Sequence, residues 1–273
     1  MTLKRFFRGF RVGLECLLRL PFVNWFNPIL TLYLNFRSFP IGQAIRLPVF
    51  VYGWPNFFTL LGSMECKGVC RIGMIKFNRT NYGGPDHPGG GLAINNWGTV
   101  VFHGPCEIHT GVKINVFRFA TLDLGSQCHI MPNCNVTANG LVVIGNNTRL
   151  AHRSQIMDSN YHFIADVKNK TVRNIHCPIY IGDCVWICNS VTVSAGAKIP
   201  SHTIVSSGSL VNKDFSNIPE SSIIGGCPAK LLKSDCRRIY NQSLESTIRK
   251  WFRENPEEKI YRLGDCFDPM ECD

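Results

Sequence analysis

The chain has 273 residues, of which 45% are hydrophobic and 18% charged, so it can bury a sizeable core and is not a disordered chain. Its 29 Lys and Arg against 19 Asp and Glu give a formal net charge of +10. That charge favours an anionic partner, such as nucleic acid, a membrane surface or a phosphorylated small molecule.

Residues 1–40 are basic and aromatic, with six Lys and Arg against the single acid Glu15. The uncharged run from Leu20 to Phe36 contains two prolines and is short for a bilayer, so a transmembrane helix is not expected. Two alternatives stay open: the segment lies on anionic headgroups, or it packs against the body of the protein or a neighbouring subunit. No cleavable signal peptide is visible, so we expect a cytoplasmic protein, peripheral on the inner face of the cell membrane in the first alternative.

Residues 1–92 as a whole are interpreted as an N-terminal segment with an irregular lead-in, because Pro and Gly interrupt its short apolar runs. Residues 81–91 have the composition of a loop, in which Asp86 and His87 are expected to lie in a solvated turn. The 13 Cys are scattered, and two C-x₃-C pairs without matching second halves are weak zinc candidates. We therefore expect small buried thiols and no metal.

A six-residue period dominates the second half of the chain. It excludes an α-helix, and the β-branched, Asn and Gly content favours short strands joined by turns, three to each triangular coil. Such units bury their apolar faces only by stacking, so the period predicts an all-β solenoid. The same period appears upstream at Leu124, Ile130 and Val136 and at Ile144, Leu150 and Ile156. In its longest uninterrupted stretch the repeated positions are Ile181, Ile187, Val193, Ile199, Val205 and Val211.

Residues 93–230 resemble the hexapeptide-repeat acyltransferases, and in particular the surface-polysaccharide and maltose-type O-acetyltransferases. The specific stretches are the Trp-bearing coil from Ile181 to Lys198, the sequence Gly208-Ser-Leu-Val-Asn-Lys-Asp214 and the closing Gly226-Cys-Pro-Ala-Lys230. The resemblance implies a left-handed parallel β-helix, an acetyl-CoA-dependent enzyme and a homotrimer.

Residues 157–178 interrupt the repeat, and a long insertion in one coil is a common place for function. Asp158-Ser-Asn-Tyr-His162 resembles the D-x-(D/N)-x-H loop of this family. The resemblance implies that His162 is the general base, with Asp158 orienting its ring and Asn160 supporting the acceptor or the oxyanion. Imidazole suits that task because its reference pKa is near 6.5. His176, at the end of the loop, is the rival candidate.

Acetyl-CoA is expected in a groove between two neighbouring subunits. The resemblance places Trp186 near the thioester, Asn189 and Ser207 along the pantetheine arm, and Asn212 and Lys213 toward the adenosine end. Lys230 and Lys233 would approach the phosphates. The sequence departs from the family at Cys188, where Gly is usual, and at Ser206-Ser207, where Gly-Ala is common.

Residues 231–273 are expected to form a helical tail, because Leu244, Ile248, Trp251 and Phe252 have helical spacing. The function predicted is acetyl transfer to a hydroxyl of a sugar or polysaccharide precursor. Two alternatives stay open: transfer to an antibiotic, amino sugar or serine, and a non-catalytic β-helix scaffold in a glycan assembly complex. A nucleic-acid partner is not expected, since no helix-turn-helix, finger or stacking platform is present.

Overall fold

The computed structural model describes residues 25–80, 90–264 and 267–273. Its body is a parallel β-helix with three faces, in which each of seven coils contributes one strand to nearly every face. The predicted all-β solenoid is therefore confirmed. Residues 1–24, on which most of the basic N-terminal prediction rests, lie outside the described residues, as does the loop 81–89 with Asp86 and His87.

Three sheets form the faces. Sheet 1 contains β1 Val49–Val51, β4 Ile75–Arg79, β7 Cys106–His109, β10 Cys128–Ile130, β13 Arg149–Leu150, β18 Trp186–Ile187, β21 Ile204–Val205, β23 Ile223–Gly226 and β24 Ala229–Lys233. Sheet 2 contains β2 Asn56–Leu60, β5 Ala93–Asn96, β8 Lys113–Val116, β11 Asn135–Ala138, β14 Gln155–Met157, β19 Thr192–Ser194 and β22 Leu210–Val211. Sheet 3 contains β3 Ser63–Cys66, β6 Thr99–Phe102, β9 Thr121–Leu124, β12 Leu141–Ile144, β17 Ile179–Ile181 and β20 Lys198–Ile199.

The remaining elements lie outside these faces. Strands β15 Ala165–Asp166 and β16 Thr171–Val172 form an antiparallel hairpin in the insertion. The helices are α1 Pro28–Ser38, α2 Ile41–Ala44 and α3 Gln242–Glu254, followed by a 3₁₀ turn, Pro269–Cys272.

The repeated aliphatic residues point into the prism and stack on their equivalents in the coils above and below. In sheet 2, for example, Val136 is aligned with Ile114 on one side and Ile156 on the other, and all three are buried. Full burial of such a side chain is worth roughly 1.5–3 kcal/mol relative to exposure. Because every coil shares its inward residues with two neighbours, stacking supplies the core that a single coil lacks.

The β-helix begins at Val49, so the domain boundary predicted at residue 93 is wrong. The first coil consists of β1, β2 and β3, and the second of β4, β5 and β6. The six-residue count fails there for a physical reason. The register shifts between Phe57 and Thr59 and again between Phe77 and Arg79, and aromatic side chains such as Phe77 and Phe102 fill the interior.

Helices α1 and α2 cover the N-terminal end of the prism, where an irregular lead-in was expected. Helix α1 is started by Asn27, whose side-chain oxygen accepts the amide of Leu30 at 3.0 Å. Among the residues described, no helix has the length and apolar character needed to cross a membrane.

The C-terminal tail contains the predicted helix, α3, and the four residues that indicated it are half-buried along one side. The β-structure extends to Lys233, three residues past the predicted boundary, because β24 folds back antiparallel on β23. Of the eleven described cysteines seven are buried and all are free thiols. Burial raises the pKa of Cys128 and of Cys134 to about 12, which fits inert interior residues.

Candidate active site

The insertion 158–178 leaves the prism at the corner between sheets 2 and 3, and its base is fixed by Asp158. The Asp158 carboxylate is fully buried and accepts three backbone amides of the coil below, from Asn139 at 2.7 Å, Gly140 at 2.7 Å and Leu141 at 2.9 Å. Both of its oxygens are therefore engaged by the backbone. The expected role of Asp158 in orienting the ring of His162 is replaced by a role in anchoring the loop.

The two ends of the loop are also joined to each other. Ser159 forms an antiparallel bridge with His176, and the Cys177 amide donates to the Asp158 carbonyl at 3.1 Å. On the other side, the Gly196 amide donates to the Cys177 carbonyl at 3.0 Å from a turn in which Gly196 has φ +81°. The base of the loop is thus held by backbone contacts to two neighbouring coils.

Beyond this base the loop is exposed, and it encloses a pocket. Residues 160–174 are all exposed, and the hairpin β15–β16 folds over a concave pocket of about 360 Å³. His162 and Asn160 both line this pocket. Its other walls are Ile164, Ala165, Asp166, Thr171, Arg173, Asn174, Ile175, Cys177 and Ala195.

The two candidate histidines differ in their surroundings. His176 belongs to the paired base of the loop, where its amide donates to the Asn174 side chain at 3.0 Å. His162 lies four positions after Asp158 and lines the pocket, and within the described residues neither its ring nor that of His176 has a hydrogen-bond partner. The neighbouring Tyr161, which has φ +63°, packs its ring against Phe117 with centroids 5.7 Å apart. The two histidines thus differ in that His162 lines the pocket, whereas the backbone of His176 is paired at the base of the loop.

The residues expected along acetyl-CoA divide between two corners of the prism. Asn189 and Ser207 follow β18 and β21, at the corner between sheets 1 and 2, where the Ser207 hydroxyl donates to the Asn189 side chain at 2.6 Å. Asn212 and Lys213 follow β22, at the corner from which the insertion leaves. The Lys213 ammonium lies 5.0 Å from the ring centroid of Phe215.

Trp186 and the two tail lysines lie with sheet 1. Trp186 is half-buried on its outer surface, and Lys230 and Lys233 are exposed on β24. Sequence reasoning missed that Arg238 covers Trp186, with the guanidinium 4.5 Å from the ring centroid and 4.7 Å from that of Tyr240. The only sequence signal was the Arg237-Arg238 pair after the closing motif.

Two clusters of metal-ligand residue types occur in the described part of the chain, and neither belongs to the loop. One carboxylate oxygen of Glu107 lies near His109 and His129. The other oxygen is bonded to Lys76 at 2.7 Å and to Arg79 at 3.1 Å, so these two cations already balance the charge of the carboxylate. The second cluster is Cys184, His202 and Asp273, and there Asp273 is also paired with Arg237 at 3.6 Å.

Comparison with known proteins gives sequence relatives that are named as acetyltransferases. No family model matches the chain. Over 148 residues it is 25% identical to WbbJ of Escherichia coli, which is named as a lipopolysaccharide biosynthesis O-acetyl transferase, covering 51% of this chain and 74% of that protein. It is also 25% identical to the galactoside O-acetyltransferase of Escherichia coli, over 42% of this chain and 54% of the relative, so this alignment spans about half the length of that enzyme.

Among solved structures, the polySia-specific acetyltransferase NeuO superposes with a TM-score of 0.44 at 20% identity, over 74% of this chain and 91% of that chain. The resemblance predicted from the repeat is confirmed by the sequence relatives. The chain is a parallel β-helix protein whose sequence relatives are named as O-acetyltransferases. By class it is an acyltransferase.

Proposed function

We propose that the protein is an acetyl-CoA-dependent O-acetyltransferase acting on a hydroxyl of a sugar or polysaccharide precursor, with His162 as the general base. The observation that carries this proposal is the position of His162 in an exposed pocket, on the one long insertion in the coils of the described β-helix. The sequence relatives, which are named as O-acetyltransferases of lipopolysaccharide biosynthesis and of a galactoside, support the choice of acceptor.

Acetyl-CoA would supply the acetyl group as a reactive thioester. The imidazole of His162 accepts the hydroxyl proton of the acceptor as its oxygen bonds to the acetyl carbonyl carbon. The carbon–sulfur bond then breaks and the proton passes to the leaving thiolate, which gives the acetyl ester and free CoA. Asn160, which lines the same pocket, would donate its side-chain amide to the acceptor or to the developing oxyanion.

Asp158 is a positioning residue in this scheme. Its carboxylate ties the first residue of the loop to residues 139–141, so the start of the loop has a fixed location relative to the coils. Three residues separate Asp158 from His162, so the bonds at the base fix where the segment that carries the histidine starts. Preorganisation of this kind keeps a base in range of its substrate.

The residues expected along acetyl-CoA suit the chemistry of this coenzyme. Lys213, Lys230 and Lys233 are exposed cations suited to phosphate oxygens, and the Asn189–Ser207 pair offers polar groups suited to the amides of the pantetheine arm. In one protomer these residues lie on sheet 1 and on two different corners. We propose that a homotrimer completes the site, with His162 of one subunit facing coenzyme held partly by the next.

The test is a free-CoA release assay with candidate sugars. His162→Ala should lower turnover at least about 100-fold, the usual contribution of general-base catalysis, and leave the fold and the oligomer intact. His176→Ala is the matched control, because it removes an imidazole from the same loop. Full turnover by His162→Ala would contradict the assignment, as would a larger loss with His176→Ala. A monomeric mass in light scattering at full activity would contradict the trimer.

A further inference from the structure

Helix α1 is amphipathic, but its polar side faces the protein and its apolar side faces outward. In a surface helix the apolar stripe normally faces the core and the polar residues face water. Here the buried residues are Thr31, Leu34, Asn35 and Ser38, three of them polar. The outward residues are Ile29, Leu32, Tyr33 and Phe36, at the spacing i, i+3, i+4 and i+7 that places them on one side of a helix.

The polar side of the helix caps the open edge of sheet 1. The Asn35 side chain donates to the Val49 carbonyl at 2.8 Å and accepts the Val49 amide at 3.1 Å, and the Thr31 hydroxyl accepts the Val51 amide at 3.0 Å. Strand β1 has no neighbour on that side, so these bonds satisfy backbone groups that otherwise have no partner. The orientation of α1 is therefore fixed by the prism.

Helix α2 repeats the arrangement on sheet 3. The Gln43 side chain donates to the Cys66 carbonyl and accepts the Cys66 amide, both at 2.8 Å, while Ile41 and Ile45 point outward. Because polar side chains of both helices cap the end of the prism, the apolar side chains of these helices face outward. We call the outward side chains of Ile29, Leu32, Tyr33, Phe36, Ile41 and Ile45 the cap surface.

These side chains are too exposed to be core residues. Ile29 is 68% exposed, and Leu32, Tyr33 and Phe36 are each about half exposed, at 49%, 52% and 49%. Trp25 and Trp54 lie beside the start of the helix and contact each other, with ring centroids 6.2 Å apart. Contiguous exposed apolar side chains of this kind mark an interaction surface.

Within residues 25–64, which include both cap helices, the charged side chains are all basic, and the acid that follows, Glu65 on β3, is paired with Lys67 at 3.8 Å. No Asp or Glu occurs between Glu15 and Glu65, whereas Arg37 and Arg46 are exposed on the cap. Aliphatic side chains, Trp and Tyr bordered by Arg form the usual composition of a surface that enters the headgroup region of an anionic bilayer. A second copy docked face to face would bring Arg37 and Arg46 against like charges, which disfavours self-association through this surface.

We propose that the cap surface binds the interface of an anionic lipid bilayer, with Leu32, Tyr33 and Phe36 inserted and Arg37 and Arg46 on the headgroups. The protein thus lies on a membrane through a preformed apolar face that the β-helix itself holds outward. This inference does not depend on the proposed acetyl transfer, since the cap lies at the end of the prism and the loop leaves the prism four coils further on.

Vesicle flotation with the full chain tests the proposal. Wild type should float with vesicles of phosphatidylcholine and phosphatidylglycerol, and the triple variant Leu32→Gln, Tyr33→Gln, Phe36→Gln should bind at least tenfold more weakly. These substitutions leave the bonds of Thr31, Asn35 and Gln43 intact, so circular dichroism should be unchanged. The control is Ile260→Gln, which removes a more exposed aliphatic side chain, 70% exposed, in the tail and should bind as wild type does.

Two results would overturn the proposal. In one, the triple variant binds vesicles as tightly as wild type, which would assign any membrane contact to another part of the chain. In the other, wild type does not bind vesicles and the triple variant instead has a smaller mass in light scattering, which would make the cap surface a protein interface. His162→Ala should bind vesicles normally, and the triple variant should retain CoA release with a soluble acceptor, so the two proposals fail separately.

Discussion

The coils and the insertion they carry differ in how their side chains are buried and in how their strands are paired. In the coils, inward and outward side chains alternate, and interior strands pair with neighbours on both sides. In the insertion, residues 160–174 are all exposed and the only regular structure is a hairpin of two strands with two residues each. The coils gain stability from repetition, whereas the insertion depends on a few bonds at its base. Such a division leaves the insertion exposed without weakening the core.

The strongest test of this contrast removes one inward side chain next to the insertion. Ile156→Ala empties a position between Val136 and Val193 in sheet 2, and we expect it to lower the free energy of unfolding by about 3 kcal/mol. Urea unfolding followed by circular dichroism measures the change. A loss below about 1 kcal/mol would show that the coils do not share their core as described.

A second test breaks the base of the insertion. Asp158→Ala leaves the amides of residues 139–141 without their acceptor, and we expect a loss of about 2 kcal/mol in unfolding free energy. We also expect CoA release to fall, because the loop loses its fixed start. Asp158→Asn keeps one acceptor oxygen and should be intermediate in both assays. Normal activity in the Ala variant would mean that the base contacts do not position the loop.

A third test addresses the outer surface of the coils. Burial lowers the pKa of His129 to about 4, with a further contribution from Arg149, whereas an unfolded histidine titrates near 6.5. Since the unfolded chain then binds more protons, stability is full above pH 6.5 and is lost as the pH falls from 6.5 toward 4. We expect a loss on the order of 1–2 kcal/mol at pH 5.

The variant His129→Asn should reduce this acid sensitivity. It should not abolish it, because burial also lowers the pKa of His109. Thermal unfolding of both proteins at pH 7 and pH 5 gives the comparison. Equal shifts of melting temperature in wild type and variant would show that His129 does not contribute.

The smallest effect is expected at the tip of the insertion. Val167 is 86% exposed, so Val167→Ala should change the unfolding free energy by less than about 0.5 kcal/mol. The same kind of truncation thus costs several times less in the insertion than at Ile156. A large loss at Val167 would mean that the tip is covered in solution, for example by a neighbouring subunit.

The parts of this structure that the sequence revealed are those in which the information is local. Ile187 and Val193 are six residues apart, and both are buried where the period placed them. The first two coils were not predicted, because their bulges and aromatic side chains interrupt the six-residue period. The role of Asp158 was hidden for a different reason. Its partners lie 17 to 19 residues earlier in the chain, whereas the motif suggested a partner four residues later.

The cap illustrates the same limit, because residues 25–45 show only an apolar composition in the sequence. That Asn35 and Gln43 face inward follows from the unpaired edges of β1 and β3, which exist only once the coils have formed. The reversed amphipathicity of α1 is therefore a tertiary property. The confirmed helix α3, in contrast, was visible from its own spacing.

Because the coils stack in parallel, the strand spacing fixes the distance along the prism from one coil to another. Helix α1 caps the first coil and the insertion leaves the fifth, so four strand spacings of about 4.8 Å set the two roughly 19 Å apart along the prism. That height changes only in whole steps, by adding or removing one coil of about 18 residues, whatever the side chains are. If the cap lies on a surface and the insertion receives the acceptor, an acceptor tethered to that surface would have to carry its hydroxyl to that elevation. The coil count would then select acceptors by the length of their tether.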